Sequence, residues 1–551
     1  MSGSSSWAAA DAYLDARAEV DPAAAQARGD DVDLLLPDLT WDGFAARDAA
    51  DRAGRTALGP EPDDALGRAL AERLDSEIAL YDAGFTTTLL APLATPVHRL
   101  REVFDDLPDH SEQDWVRIST HLAAAAQGYA DYGRTLLRSA RTGGRAAVRQ
   151  VSTVADQVAS WIDPAGTDFY RALAARHVGD PALHRELGER ADRVSAAADG
   201  LVRLLRTELA PLATPTDAVG AELYQVTAGA FLGAEIDPAE LYDYGWSELA
   251  RLHAAATALG HRLTGEREPA AARLALDARP GASVRPGPEL VAWLQGRLDE
   301  LGERLDGEFF DIPAATRRVE ARMVTAGSGV MYYSPPDPGL TRPGRVWWSV
   351  PPGTERVATW REVSTVHHEG LPGHHLQFAV TMGQRELHPW QRYLCQVHGY
   401  AEGWAHYAEQ LAMDWGLVHE DAEILGIYQA QLWRAARIVI DIGLHLGYPV
   451  PSGNPLLAAE RWDPAVATEF LARVAGIDPA TAHWEVVRYL GWPGQALAFK
   501  AGARLWTAAR DARAAASGAA FDLKQFHMTA LGLGPMGLGP LRETLAKENH
   551  A

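Results

Sequence analysis

Residues 237–263 read DPAELYDYGWSELARLHAAATALGHRL, and their punctuation decides the fold class. Asp237 offers a short side-chain oxygen to the free N–H groups of a first helical turn, and Pro238 suits the first helical position, where its missing donor is not needed. Glu240 falls where the positive end of a helix favours an acid. Behind it, Leu241, Tyr244, Leu249, Leu252 and Ala256 lie near one apolar stripe, the 3.6-residue period of an amphipathic helix. The Asp-Pro-Ala opening recurs at Asp21, Asp163, Asp180, Asp463 and Asp478. Segments 65–82, 113–141, 182–209, 289–308, 390–416, 421–447 and 496–517 carry the same period. The chain is therefore expected to be mainly α, a large multi-helix protein.

Two stretches break the pattern. Residues 318–324 alternate and 345–350 are β-branched and aromatic, so both are expected as strands of a small sheet within about 317–350. Between them, YYSPPDPGLTRPG (332–344) is too rich in Pro and Gly for either element. The hexapeptide APLATP at 91–96 and 210–215 reads as two helix endings rather than a repeat. A soft boundary near 220 separates a helical N-terminal region, 1–220, from a catalytic region, 221–551, within one continuous cleft-containing unit.

Composition narrows the function. Of 551 residues, 47% are hydrophobic, enough for a packed core, and 73 acidic against 51 basic side chains repel phosphate backbones and argue against a nucleic-acid partner. The single cysteine, Cys395, excludes an internal disulfide framework and a cysteine-based zinc cluster. The opening MSGSSSWAAADAYLDARAEVD has no basic or apolar leader region, and no charge-free run of about 18 apolar residues occurs. A cytoplasmic protein without a membrane partner is expected.

The chemistry concentrates in VHHEGLPGHHLQ (366–377), with His367, His368, His374 and His375 around Glu369. Imidazole is the commonest zinc ligand and a nearby carboxylate can act as base. The usual helical zinc motif places its second His four residues after the first, but here that residue is Pro372. In an unbroken helix His368 and His375 would share a face about 10 Å apart along the axis, too far to hold one ion. His368 and His374 would face different ways. One metal therefore requires the helix to break at Gly370-Leu371-Pro372-Gly373, and Pro and Gly suit that break.

Three further pieces lie downstream. In GYAEGWAHYAE (399–409), Glu402, His406 and Glu409 share a helical face; Glu402 is the candidate third ligand, with His406 or Glu409 orienting it. Arg434, Arg437, Asp441 and His445 form one stripe of a helix whose other side is apolar, which suits an ion-pair network, while His445 could also serve an oxyanion. Around a Pro-Gly break, Arg488 is a candidate anchor for a substrate carboxylate and Tyr489 a transition-state donor; Gln495 and Lys500 are further polar groups there.

Together these pieces resemble the large bacterial family called domain of unknown function 885 (DUF885). HEGLPGHHLQ, EGWAHYAE, RAARIVIDIGLH, RYLGWPGQALAFKAG and, upstream, YYSPP with Tyr333 all match its signature. The resemblance implies a gluzincin-like zinc metallopeptidase on a neurolysin-like helical scaffold. It implies one Zn2+ per chain held by His368, His374 and Glu402, Glu369 as general base and Glu409 as support. It departs at Phe499, where relatives usually have Tyr; if that phenol serves the oxyanion, the role passes to Tyr489 or His445, or the protein is slower or altered in its chemistry.

The expected function is a zinc-dependent peptidase or amidohydrolase acting on a short peptide or peptide-like metabolite. The strand at 345–350 is expected to pair with an extended substrate. The rivals are a His/His/Glu iron site doing oxygen chemistry, against which the adjacent base argues, and a degenerate peptide-binding scaffold.

Overall fold

The structure is a computed structural model that describes residues 5–547 except 145, 164, 325–330, 338 and 352, together with the side chain of residue 106, which is also left out. The opening residues 1–4, Pro164 after Asp163, and parts of the expected sheet region and of 332–344 thus lie outside the described residues. The molecule is mainly α, with small sheets of two and three strands. No helix among the described residues is long and apolar enough to cross a membrane. The chain forms two compact units: Met1–Thr227 with Leu444–Leu446 and His483–Pro493, and Ala228–Gly443 with Gly447–Ala482 and Gly494–Ala551.

The Asp-Pro openings do what their chemistry dictates. Asp21, Asp180, Asp237, Asp463 and Asp478 each accept a backbone N–H of the following turn, a cap worth about 1 kcal/mol. Asp163 is different: its carboxylate takes the N–H of Ala165 in a turn, and the next helix starts only at Phe169. The first APLATP copy also departs from expectation, since Thr95 and Pro96 begin the helix Pro96–Asp106.

In the first unit, helices Glu112–Arg141 and Pro181–Leu204 pack along a shared apolar seam. Trp115, Ile118, Leu122, Ala125, Tyr129, Tyr132 and Leu136 alternate by three and four residues and are all buried. Leu187, Val194 and Leu201 meet them in the same core. Each such large side chain contributes roughly 1.5–3 kcal/mol by leaving water.

In the second unit the helix Pro238–Thr264 buries Tyr242, Gly245, Leu249, Leu252 and Ala256, while Tyr244 sits half-buried at the edge of that stripe. Gly245 is required by the packing: a Cβ there would lie 2.8 Å from Val439 Cγ1 and 3.0 Å from Ile438 Cγ2. Val439 and Ile438 belong to the helix Asp421–Leu446, fully buried on that side.

Three expectations need correcting. The single helix over 390–416 is two, Pro389–Tyr393 and His398–Asp414. The carbonyl of Trp390 draws in the N–H groups of both Leu394 and Cys395, which closes the first helix early. Within 332–344, Tyr332–Ser334 is a strand after all, because Tyr332 stacks on Trp347 and Ser334 Oγ accepts from Trp347 Nε1 at 2.9 Å. This makes Gly344–Trp348 the middle strand, parallel to Val319–Met323 and antiparallel to Tyr332–Ser334. With both edges paired, that strand cannot take up a substrate backbone over those residues, contrary to expectation.

Candidate metal centre

The helix Thr359–Thr365 runs into a wider π-helical turn, Val366–Gly370, and the chain turns extended at Leu371. The Leu371–Pro372 peptide is cis, and a new helix, His374–Gly383, begins directly after Gly373. A Cβ on Gly373 would collide with the carbonyl oxygens of His367 and His368, so only glycine lets the chain fold back this tightly. Trp404 clamps the fold-back, donating from Nε1 to Pro372 O at 2.9 Å and Gly373 O at 3.2 Å.

This break brings together side chains that a straight helix would hold apart. One ligand atom each from His368, His374 and Glu402 lie within 4.8 Å of one another. His368 Nε2 is 3.1 Å, and His374 Nε2 3.5 Å, from the same Glu402 oxygen, Oε2. The imidazoles stand almost perpendicular, with ring centroids 4.8 Å apart. Among the described residues no other group of His, Cys, Asp or Glu gathers in this way.

Glu402 is held at its height by a close helix crossing. Its helix, His398–Asp414, crosses Ala498–Ser517 glycine to glycine: a Cβ on Gly403 would lie 2.6 Å from Gly502 Cα, and one on Gly502 2.5 Å from Gly399 O.

Glu409, two turns further along the same face, is fully buried and orients the first ligand. Its Oε1 accepts from His368 Nδ1 at 2.8 Å and its Oε2 from Ser364 Oγ at 2.9 Å. That leaves His368 Nε2 as the atom turned to the centre, the usual relation of a carboxylate behind a metal-ligating imidazole. His406 Nδ1 lies 3.2 Å from Glu409 Oε2 but off the hydrogen-bonding direction, and Arg434 stands 3.9 Å from Oε1.

The electrostatics favour a cation here. Burial alone would push the His368 imidazole down, yet its hydrogen bonds to Glu402 and Glu409 lift it to about 9. Burial would likewise raise the two carboxyls, but His368 and His374 hold Glu402, and His406, Arg434 and His368 hold Glu409, well below the usual carboxylate range. Two imidazoles and a carboxylate within bonding reach of one point, backed by a second anion, suit Zn2+.

Glu369 follows His368 in the π-helical turn, half-buried, and its charge reaches the His368 ring. The ring of Phe499 stacks on His368 at 5.8 Å and carries Arg437 over its face at 4.3 Å, so this position packs a ligand and seats a cation without a hydroxyl.

The remaining candidates serve other neighbours. His367 Nδ1 donates to Leu371 O, and His375 Nδ1 meets the Tyr333 hydroxyl at 2.9 Å, so both histidines brace the break and neither joins the ligand cluster. Asp441 accepts from Gly494 N at 2.9 Å, and Gln495 is buried in the short turn Gln495–Leu497. Lys500 pairs with Glu248 at 2.8 Å on the wall of a cavity of about 380 Å³ that His406 also lines. In the first unit, Glu485 accepts from both Arg488 and Tyr489, at 2.9 Å and 2.6 Å. His445 Nε2 donates to Tyr489 O at 3.1 Å, and burial pushes its imidazole down to about 4.

Sequence reasoning passed over Ser364, Trp404 and Glu248. Ser364 stands four residues before His368, a spacing that could have marked it as sharing a face. Glu248 has no local signal pointing to Lys500.

A family described as bacterial protein of unknown function, DUF885, matches residues 22–545. The chain belongs to the DUF885 family. Two solved structures share the fold. A candidate lipoprotein from Colwellia psychrerythraea superposes with a TM-score of 0.85 at 19% identity, covering 99% of each chain. A candidate lipoprotein of unknown function from Shewanella oneidensis gives 0.72 at 16%, covering 98% of this DUF885 chain and 99% of its own. No curated protein matches the sequence significantly.

Proposed function

We propose that this DUF885 protein is a zinc-dependent hydrolase of the gluzincin kind that cleaves an amide bond in a short peptide or peptide-like metabolite. The supporting observation is the meeting of His368, His374 and Glu402 beside Glu369, with Glu409 behind His368. Zinc at these ligands would supply Lewis acidity to the scissile carbonyl and acidify an attacking water. Glu369 accepts the water proton and delivers it to the leaving amine. Glu409 holds the His368 tautomer throughout. Within the first unit Tyr489 donates to Glu485 and His445 to the Tyr489 carbonyl, so the oxyanion role expected of them is not carried into this proposal.

The test is a metal analysis of purified protein with a peptide-library hydrolysis assay. One zinc per chain is expected, and Glu369→Gln should keep the metal while losing turnover. Full activity in that variant, or iron in place of zinc with oxygen consumption, would sink the proposal.

A further inference from the structure

The second unit contains a second cavity, of about 340 Å³, that shares no residue with the metal centre. One wall comes from the helix Pro238–Thr264 through His253 and Thr257, one turn apart; another comes from the middle of the helix Pro269–Asp277 through Arg273; Arg473 closes a third side. Leu425, Leu432 and Leu456 supply an apolar floor.

Among the described residues no carboxylate comes within 4.0 Å of Arg273 or Arg473. Asp277, one turn beyond Arg273, is already engaged by Trp360 Nε1 at 3.0 Å and Arg361 at 2.5 Å. Arg473 donates to the carbonyl of Leu456 and stands over the Phe470 ring at 5.7 Å. The acids at the rim, Glu266 and Glu268, are exposed, and Glu268 caps no N–H of the helix it precedes. The hydroxyl oxygen of Thr257 is buried without a hydrogen-bond partner. Burial pushes His253 down, and both arginines push it further against the charge of Glu268, so the two guanidinium groups bear on the same imidazole. Burial and the nearby Arg361 push Arg273 itself down, against the charge of Asp277, which lifts it.

Arg473 is exposed, whereas Arg273 is partly buried, and a partly buried guanidinium without a paired anion destabilises a fold unless something compensates it. Gly476, at φ +67°, keeps this one in place, since a Cβ there would lie 2.8 Å from the Arg273 guanidinium carbon. We infer that this cavity binds a small organic anion with an apolar body, its carboxylate or phosphate gripped by Arg273 and Arg473 and its body laid on Leu425, Leu432 and Leu456. The inference does not depend on the metal centre or on hydrolysis.

Titration calorimetry and thermal unfolding of the full chain test it, using 4-phenylbutyrate, phenyl phosphate and, as the cationic control, phenethylamine. One or both anions should bind and raise Tm, the tighter naming the head group, and phenethylamine should do neither. Arg273→Gln and Arg473→Gln should each weaken anion binding about tenfold or more. Without anion, Arg273→Gln should leave Tm unchanged or raise it, because an uncompensated charge has gone. Binding that survives both substitutions would place the anion elsewhere, at the metal centre for instance, and overturn the inference. So would a fall in Tm for anion-free Arg273→Gln, which would make that arginine structural, or silence from both anions.

Discussion

Glu409 is the residue whose removal separates a built metal site from a chance meeting of histidines. It touches His368 and Ser364 by hydrogen bonds and has Arg434 nearby, all without exposure to water. Glu409→Gln keeps the shape and removes the charge, so zinc affinity should fall by about 10- to 100-fold. Competition against a chelator of known affinity measures this, and an unchanged Kd would show that His368 needs no support. Phe499 poses a separate question. Phe499→Tyr adds one hydroxyl to a ring stacked on His368, and a supplied oxyanion donor should raise kcat by about tenfold or more with zinc content constant. Equal kcat in the two proteins would mean that this donor is already provided elsewhere.

The break and the glycine crossing control the geometry of whole elements. Gly373→Ala has nowhere to put its methyl group except onto backbone carbonyls, so the fold-back must open and carry His374 away. The expected result is folded protein with substoichiometric zinc, read by circular dichroism and metal analysis; normal zinc content would show that the ligands need no such break. At the crossing, Gly403→Ala overpacks against Gly502 and should cost about 1–3 kcal/mol in urea unfolding. These elements also explain where local sequence was legible. Asp237-Pro238 and its stripe predicted a helix because caps and amphipathic period are short-range. The end of a helix at Tyr393 was not legible because the backbone closes onto the Trp390 carbonyl with no Gly or Pro to mark it, and the strand Tyr332–Ser334 because it depends on Trp347, a partner supplied by packing.

For the molecule as a whole, acid should be destabilising well above the carboxylate range. Burial pushes His98 and His445 down to about 4 and His527 to about 3, so all three are neutral in the folded state near neutrality. The unfolded chain protonates them near 6.5, before the folded one does. Stability is therefore full above about pH 6.5 and falls as pH drops toward 4, by up to about 1.4 kcal/mol per pH unit for each histidine. Urea midpoints measured between pH 7 and 4.5 check this, and a flat profile would contradict the burial of these rings. Zinc binding only to the folded chain should add about 4 kcal/mol at a thousandfold excess over Kd, lost again with a chelator, as a shift in Tm.

Helix content and the need for a broken helix between His368 and His374 were set by the sequence alone, because turn chemistry, period and bond lengths act over a few residues. The sequence likewise marked the His-Glu cluster and the downstream carboxylates, but it left several histidines competing as ligand. Only tertiary structure turned His374 toward Glu402 and His375 toward Tyr333, and only it returned the segments bearing His445 and Tyr489 to the first unit. The reason is one of range: a fold-back clamped by Trp404 and a crossing set by Gly403 and Gly502 join residues far apart along the chain, and no local pattern encodes which of them will meet.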